Sequence, residues 1–160
     1  MAIAGISGFW QRGGMWVLGQ FLLFALVLAS PYFLSDLGVW HGIGHTVAGV
    51  AFIVLGLMLL TAGSLNLGAD LTPMPQPREK GELHTTGIYG VVRHPIYSGL
   101  TLAILGYCLI LPSILEVVIA GVVAYFFDRK ASREEARLLA RFEGYAEYRR
   151  RTSKLIPWLY

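Results

Sequence analysis

Arg93-His94-Pro95-Ile96-Tyr97-Ser98-Gly99 brings a guanidinium, an imidazole and a phenol to the mouth of an apolar stretch that runs to Phe127. Polar groups at the edge of hydrocarbon are costly unless they are paired, hydrated in a cavity or bound to a ligand, so this cluster is the first place to look for chemistry. Pro95 suits the first turn of a helix, where its missing N–H would have no partner anyway. His94 then stands at a helix N-terminus, whose free N–H groups and positive dipole end favour an anionic ligand group. A second cluster, Arg129 to Glu135, closes the same apolar stretch. It holds Arg129, Lys130 and the adjacent pair Glu134-Glu135, for which surface ion pairing is the ordinary reading.

Two other groups of residues invite chemistry and are set aside. His41 and His45 have the four-residue spacing that can hold a metal on one helical face. No third ligand lies near them in sequence, and they read as interfacial histidines flanked by Gly42 and Gly44, so no metal is expected. Cys108, the single cysteine, lies within an apolar run and reads as a small apolar residue, not as a thiol catalyst.

The elements that must position the two clusters are membrane helices. Of 160 residues, 55% are hydrophobic and 14% charged, against the roughly 25% charged usual in soluble domains. Met15 to Leu34 has no charge over 20 residues and Ile43 to Leu67 none over 25, and about 20 suffice to cross a bilayer. Tyr97 to Phe127 is apolar except for Glu116 and is broken at Leu111-Pro112-Ser113, which predicts a short helical hairpin. The fold expected is therefore all-α and integral to the membrane, as a single domain. Its four spans are placed at about 15–34, 43–67, 96–111 and 113–127, with a connecting loop at 68–95 and a charged C-terminal helical segment at 128–160. The arms of the hairpin are short for a crossing, and the absence of Pro and Gly from Val122 to Glu143 lets the second continue as helix. The run after Arg12 is read as a span, not as a secretory signal.

Charge gives the orientation. With four spans, all 13 Lys and Arg share one side with both termini and the long loop, while the opposite loops carry only Asp36, His41 and Glu116. The positive-inside rule puts that basic side in the cytoplasm. Basic residues after Asp128 are accounted for by topology and anionic headgroups, so no nucleic-acid partner is expected. Gly42, Gly49, Gly56 and Gly63 recur every seven residues, forming one stripe on the second span. Small residues let helices approach closely in lipid, which makes the stripe a packing seam with Gly99 and Gly106 opposite. The loop opens with three prolines in Thr72-Pro73-Met74-Pro75-Gln76-Pro77, stiff and extended. It then leads through Gly81-Glu82-Leu83-His84 and Gly87-Ile88-Tyr89 into Arg93.

Taken in order, Gly87-Ile-Tyr89, Arg93-His-Pro-Ile-Tyr-Ser-Gly99, an apolar hairpin, and Glu134-Glu135 followed by Leu138, Phe142, Tyr145 and Tyr148 resemble the isoprenylcysteine carboxyl methyltransferase family. The phospholipid N-methyltransferases look similar over the same region, roughly Leu71 to Pro157. One departure is Phe142-Glu143-Gly144-Tyr145, a residue shorter than the Phe-Gly-x-x-Tyr common in that family. The resemblance implies an S-adenosylmethionine-dependent methyltransferase acting on a lipophilic or small acceptor at the cytoplasmic membrane face. Carried over position by position, it implies cofactor contacts from Gly81, Glu82, Leu83, His84, Tyr89, His94, Pro95, Tyr97 and one of the two glutamates, taken as Glu135. Arg93, Glu134, Arg129 and Lys130 are then the residues for the acceptor and its chemistry. A sulfonium bearing an ammonium group needs an acidic partner, its carboxylate needs donors, and its adenine needs an apolar or aromatic slot. Methyl transfer is an in-line displacement in which positioning contributes most, and a general base is required only for a protonated acceptor. The membrane sterol reductases, which would use NADPH, look similar around the Gly-x-Tyr and Arg-His-Pro segments. They and a non-enzymatic scaffold are the alternative readings.

Overall fold

A computed structural model of the chain describes residues 10, 13–34, 42–74, 81–111 and 113–160. His41, Asp36, Arg12, Pro75, Pro77 and Pro112 lie outside the described residues, and with them part of the proline-rich segment; His45 is described, its Nδ1 3.1 Å from Leu109 O. The described residues are helical: α1 (Gly14–Leu34), α2 (Ile43–Leu67), α3 (Pro95–Ile110), α4 (Ile114–Arg141) and α5 (Tyr145–Arg151). Short 3-10 turns occupy Gly68–Asp70 and Gly87–Gly90. Among the described residues there is no strand, only an isolated parallel bridge between Val92 and Ser153.

Gly14–Phe33 and Ile43–Asp70 are long and apolar enough to cross a bilayer, and Pro95–Ile110 is a shorter apolar helix. Large apolar side chains such as Phe21, Leu28, Leu57 and Met58 are more than half exposed. Such a surface suits lipid, not water.

α2 and α3 are the most intimate pair, and glycine is the reason. Gly49, Gly56 and Gly63 are buried on α2. A Cβ on Gly56 would sit 2.6 Å from both Gly99 O and Ala103 N, and one on Gly99 would sit 2.5 Å from Gly56 O. Backbone meets backbone here, which no larger residue permits. Gly42 departs from the expected stripe: it caps α2 with a positive φ of 140° and has open space around it, so it serves the turn and not the seam.

The hairpin turns as expected, with Ser113 capping α4 by accepting a hydrogen bond from Leu115 N at 3.2 Å. Its second arm does not end at 127. With no Pro or Gly from Val122 onward until Gly144, α4 runs on unbroken for 28 residues, about 42 Å. The charged segment placed from 128 thus begins as the far half of one rod, which ends at Arg141, with residues 142–144 leading into α5. Glu116 also differs from its expected loop position: it lies in the first turn of α4, 1% exposed, with neither oxygen hydrogen-bonded among the described residues. The buried cluster Val27, Tyr97, Cys108, Ile119, Val123, Phe127 and Ala131 ties α1, α3 and α4 together directly beneath the polar residues.

Candidate active site

The site forms where α3 begins and α4 leaves the apolar layer. Pro95 is the first residue of α3 and His94 its N-cap, as the sequence predicts. His94 stacks on Tyr97 one turn on, with centroids 5.5 Å apart and planes at 10°, and Tyr97 stacks on Phe127 of α4 at 5.4 Å. This aromatic column fixes the imidazole plane.

The two adjacent glutamates have separate environments. Glu135 is 2% exposed. It accepts hydrogen bonds from Arg93 Nε at 2.8 Å and His94 Nε2 at 3.1 Å, and Arg149 Nε lies 3.3 Å from its other oxygen. Burial pushes its carboxyl up, but the hydrogen bonds and charges of His94 and Arg93 outweigh this and hold it at about 2. An ionised carboxylate only accepts, so His94 carries a proton on Nε2 and turns Nδ1 toward Glu134, 4.0 Å from Oε2. Glu134 is more open, with 27% of its side chain exposed, and accepts a hydrogen bond from Tyr97 OH at 2.8 Å.

Beside Glu134 lies a cavity of about 320 Å³, at the lower end of the roughly 300–1,000 Å³ usual for small-molecule sites. Its wall includes Gly81, Glu82, Leu83, His84, Tyr89, Arg93, His94, Tyr97, Lys130 and Glu134, bringing together ten of the thirteen residues named from sequence. The remaining three lie elsewhere. Pro95 is buried beneath the wall. Glu135 stands behind it, holding Arg93 and His94, and Arg129 points to a separate groove, where it pairs with Asp128 at 3.5 Å.

Arg93 is also more committed than the sequence suggested. Besides Glu135, its guanidinium donates to the backbone oxygens of Arg149, at 3.0 Å, and Thr152. The chain after α5 runs beside it, with Arg93 N donating to Ser153 O at 2.8 Å and His94 N to Lys154 O at 3.2 Å. Ser98 Oγ closes the same zipper on Leu155 O at 2.6 Å. Backbone oxygens accept these bonds, and they have no residue signature to be read beforehand.

Lys130 is fully buried. It donates to Gln20 Oε1 of α1 at 2.5 Å and lies 5.2 Å above the Tyr97 ring. Burial lowers its pKa to about 8, against the raising influence of Glu134. Gln20 was not foreseen, since a glutamine on a first span carries no motif. Asp70 was missed too: it accepts from Glu82 N at 3.2 Å and lies 3.0 Å from His84 Nε2, tying the loop over the cavity. Gly87 enables this cover, because it has a positive φ of 61° and a Cβ there would lie 2.7 Å from Asn66 Nδ2. Tyr145 and Tyr148 both line the cavity despite the shortened Phe142–Tyr145 spacing. Tyr148 OH donates to Tyr89 O at 2.6 Å, whereas the buried Tyr145 OH has no partner among the described residues. Burial raises both phenols above their ordinary range, so both stay protonated donors.

The cavity is therefore lined by the carboxylates of Asp70, Glu82 and Glu134, the His94 imidazole, the buried Lys130 and the two tyrosines, with apolar walls from Leu67, Ile96, Leu100 and Leu138. Among the described residues no group of three or more His, Cys, Asp or Glu is placed to hold a metal ion.

Known proteins resemble the chain in sequence and fold. Residues 45–144 match the family model described as phospholipid methyltransferase. A protein-S-isoprenylcysteine O-methyltransferase of Schizosaccharomyces pombe is 27% identical over 117 residues, covering 71% of this chain and 50% of the relative. The cobalt-zinc-cadmium resistance protein CzcN of Cupriavidus metallidurans is 29% identical over 151 residues, 93% of this chain and 65% of that protein. A solved structure of the eukaryotic intramembrane Ras methyltransferase ICMT superposes with a TM-score of 0.68 at 23% identity, covering 92% of this chain and 53% of that one. The chain thus spans between half and two thirds of the length of these three proteins. The family match takes in α2, the loop, α3, α4 and the glutamate pair, all the elements that build the cavity except α1 and α5, and the chain belongs to the phospholipid methyltransferase family.

Proposed function

We propose that the chain is a membrane methyltransferase that holds S-adenosylmethionine in the cavity beside Glu134 and transfers its methyl group to a lipophilic acceptor at the cytoplasmic membrane face. The observation that carries this reading is the cavity itself, lined by His94, Lys130, Tyr145 and a Glu134 carboxylate that accepts a hydrogen bond from Tyr97 OH at 2.8 Å. The donor set fits the cofactor. In this reading Glu134 would receive an ammonium or sulfonium charge, His94 Nδ1 would bond a polar group, and Tyr89, Leu83 and Leu138, which line the same cavity, would flank a flat base. When bound, S-adenosylmethionine supplies an activated methyl on a positive sulfur.

The protein's own contribution is placement. Glu135 keeps His94 in one tautomer and Arg93 in one pose, so the first turn of α3 does not have to reorganise. The loop tied by Asp70 and His84 covers the cavity from the basic side and limits water. Lys130 and Gln20 mark where the cavity meets α1, and a buried ammonium there would orient an acceptor carboxylate. A carboxylate or thiolate acceptor needs no proton removed; an ammonium acceptor would lose its proton to Glu134 or His94. The isoprenylcysteine named for the relatives satisfies the first case.

Calorimetric titration of S-adenosylmethionine into the protein in detergent, with NADPH in parallel, tests this. Binding of the first alone is expected. Glu134→Gln and Tyr145→Phe should each weaken it by about tenfold to a hundredfold, the loss of a hydrogen bond to a charged group. NADPH binding, or unchanged affinity in both variants, would overturn the assignment.

A further inference from the structure

We propose that the groove between the outer face of α4 and residues 149–160 seats the phosphate headgroup of an anionic phospholipid from the surrounding bilayer. This inference rests on the bilayer placement of the apolar helices and not on methyl transfer. The groove has a volume of about 590 Å³, is lined by Glu135, which does not line the first cavity, and shares Arg93 with it.

Three independent features favour a lipid. The first is charge. Arg93, Arg129, Arg149, Arg150, Arg151 and Lys154 line the groove, and Glu135 is its one acidic lining residue. Among the described residues the carboxylates that engage these cations are Glu135, Asp128 and Glu147, three for six. Arg129, Arg150 and Arg151 still expose 52%, 77% and 77% of their side chains. The second is height. The groove begins at Arg129, two residues past Phe127, where the apolar face of α4 ends, and extends along Ser132, Ala136 and Leu139. That is the level at which headgroups meet water, and clustered Arg and Lys just beyond a span favour anionic lipids.

The third is the rim. Residues 155–160 fold into a closed hook, with Leu155 N and Ile156 N both donating to Tyr160 O at 2.7 and 2.8 Å. The hook holds Trp158 in the left-handed region, φ 59°, and leaves its indole 91% exposed beside Leu159 at 80%. An aromatic ring displayed next to a cationic pocket matches the aromatic belt at membrane interfaces, where the ring enters the headgroup layer. A soluble anion would use the cations but gain nothing from Trp158, Leu159 and Ile156.

The test reconstitutes the protein in mixed bilayers and reads quenching of Trp158, isolated by subtracting Trp158→Phe, by brominated phosphatidylglycerol against brominated phosphatidylcholine. The anionic lipid should quench more strongly at equal mole fraction. Arg129→Gln with Arg150→Gln should cut that preference about twenty-five-fold, since each Arg near an anionic surface counts for about a factor of five. Equal quenching by the two lipids in the parent protein would overturn the proposal, and so would a preference that survives the double substitution. Abolition of the preference by inorganic phosphate would show a soluble-anion site instead. The comparison of lipids in the parent protein stands even if the variant misfolds, and no arm depends on S-adenosylmethionine, so failure here leaves the methyltransferase reading intact.

Discussion

Glu134 and Glu135 are chemically identical and adjacent, yet about 100° apart around α4, which sends one into the cavity and the other between two guanidiniums and an imidazole. Their consequences on substitution should differ accordingly. Glu135 has a folded-state pKa of about 2, below its ordinary 4.5, so its ion pairs stabilise the fold fully above pH 4.5 and are lost as pH falls from 4.5 toward 2. The contribution is on the order of 3 kcal/mol. Thermal unfolding in detergent should therefore weaken across that window in the parent protein and much less in Glu135→Gln, which should be less stable already at pH 7. Glu134→Gln should leave the melting curve nearly unchanged and affect only ligand binding. The sequence made both glutamates visible but not their division of labour, because that depends on helix phase and on partners 40 residues away. Arg93 shows the same limit: its conspicuous position suggested an acceptor contact, and most of its donors are spent on Glu135 and on backbone oxygens.

At the scale of elements, periodicity was readable and termination was not. The seven-residue glycine spacing identified the α2–α3 seam, and Gly56→Leu should disrupt it, lowering the melting temperature by well over ten degrees in detergent or preventing folding. Gly44→Ala, at a position with open space around it, is the matched control and should melt like the parent. An unchanged curve for Gly56→Leu would remove the seam. Gly42 shared the spacing but not the role, since a stripe on paper does not show where the helix starts. The span was placed only to Phe127 because hydropathy changes there, while the absence of Pro and Gly from Val122 to Glu143 allowed the helix to continue, as it does to Arg141. The strand-like run of 152–155 beside Arg93 was invisible, being made of main-chain bonds.

For the whole molecule, composition and charge asymmetry conveyed a membrane protein with one basic side, and the site lies on that side. Orientation follows as a prediction: Glu143→Cys, exposed beyond α4, should react with a membrane-impermeant maleimide only where the cytoplasmic face is accessible, as in inverted vesicles. Cys108, 2% exposed within α3, contributes little background. Labelling from the opposite face would reverse the topology. α4 adds one more consequence. Because a single unbroken rod passes from the apolar half of α4 to the cavity wall, the apolar half fixes the angular phase of the polar half. One residue inserted near Gly121 would turn everything downstream by about 100° and carry Glu134 off the cavity wall. Seven inserted residues would restore the phase to within about 20°, but would lift the site about 10 Å from the membrane it serves. The helix acts as a camshaft, and its length and its timing cannot be changed separately.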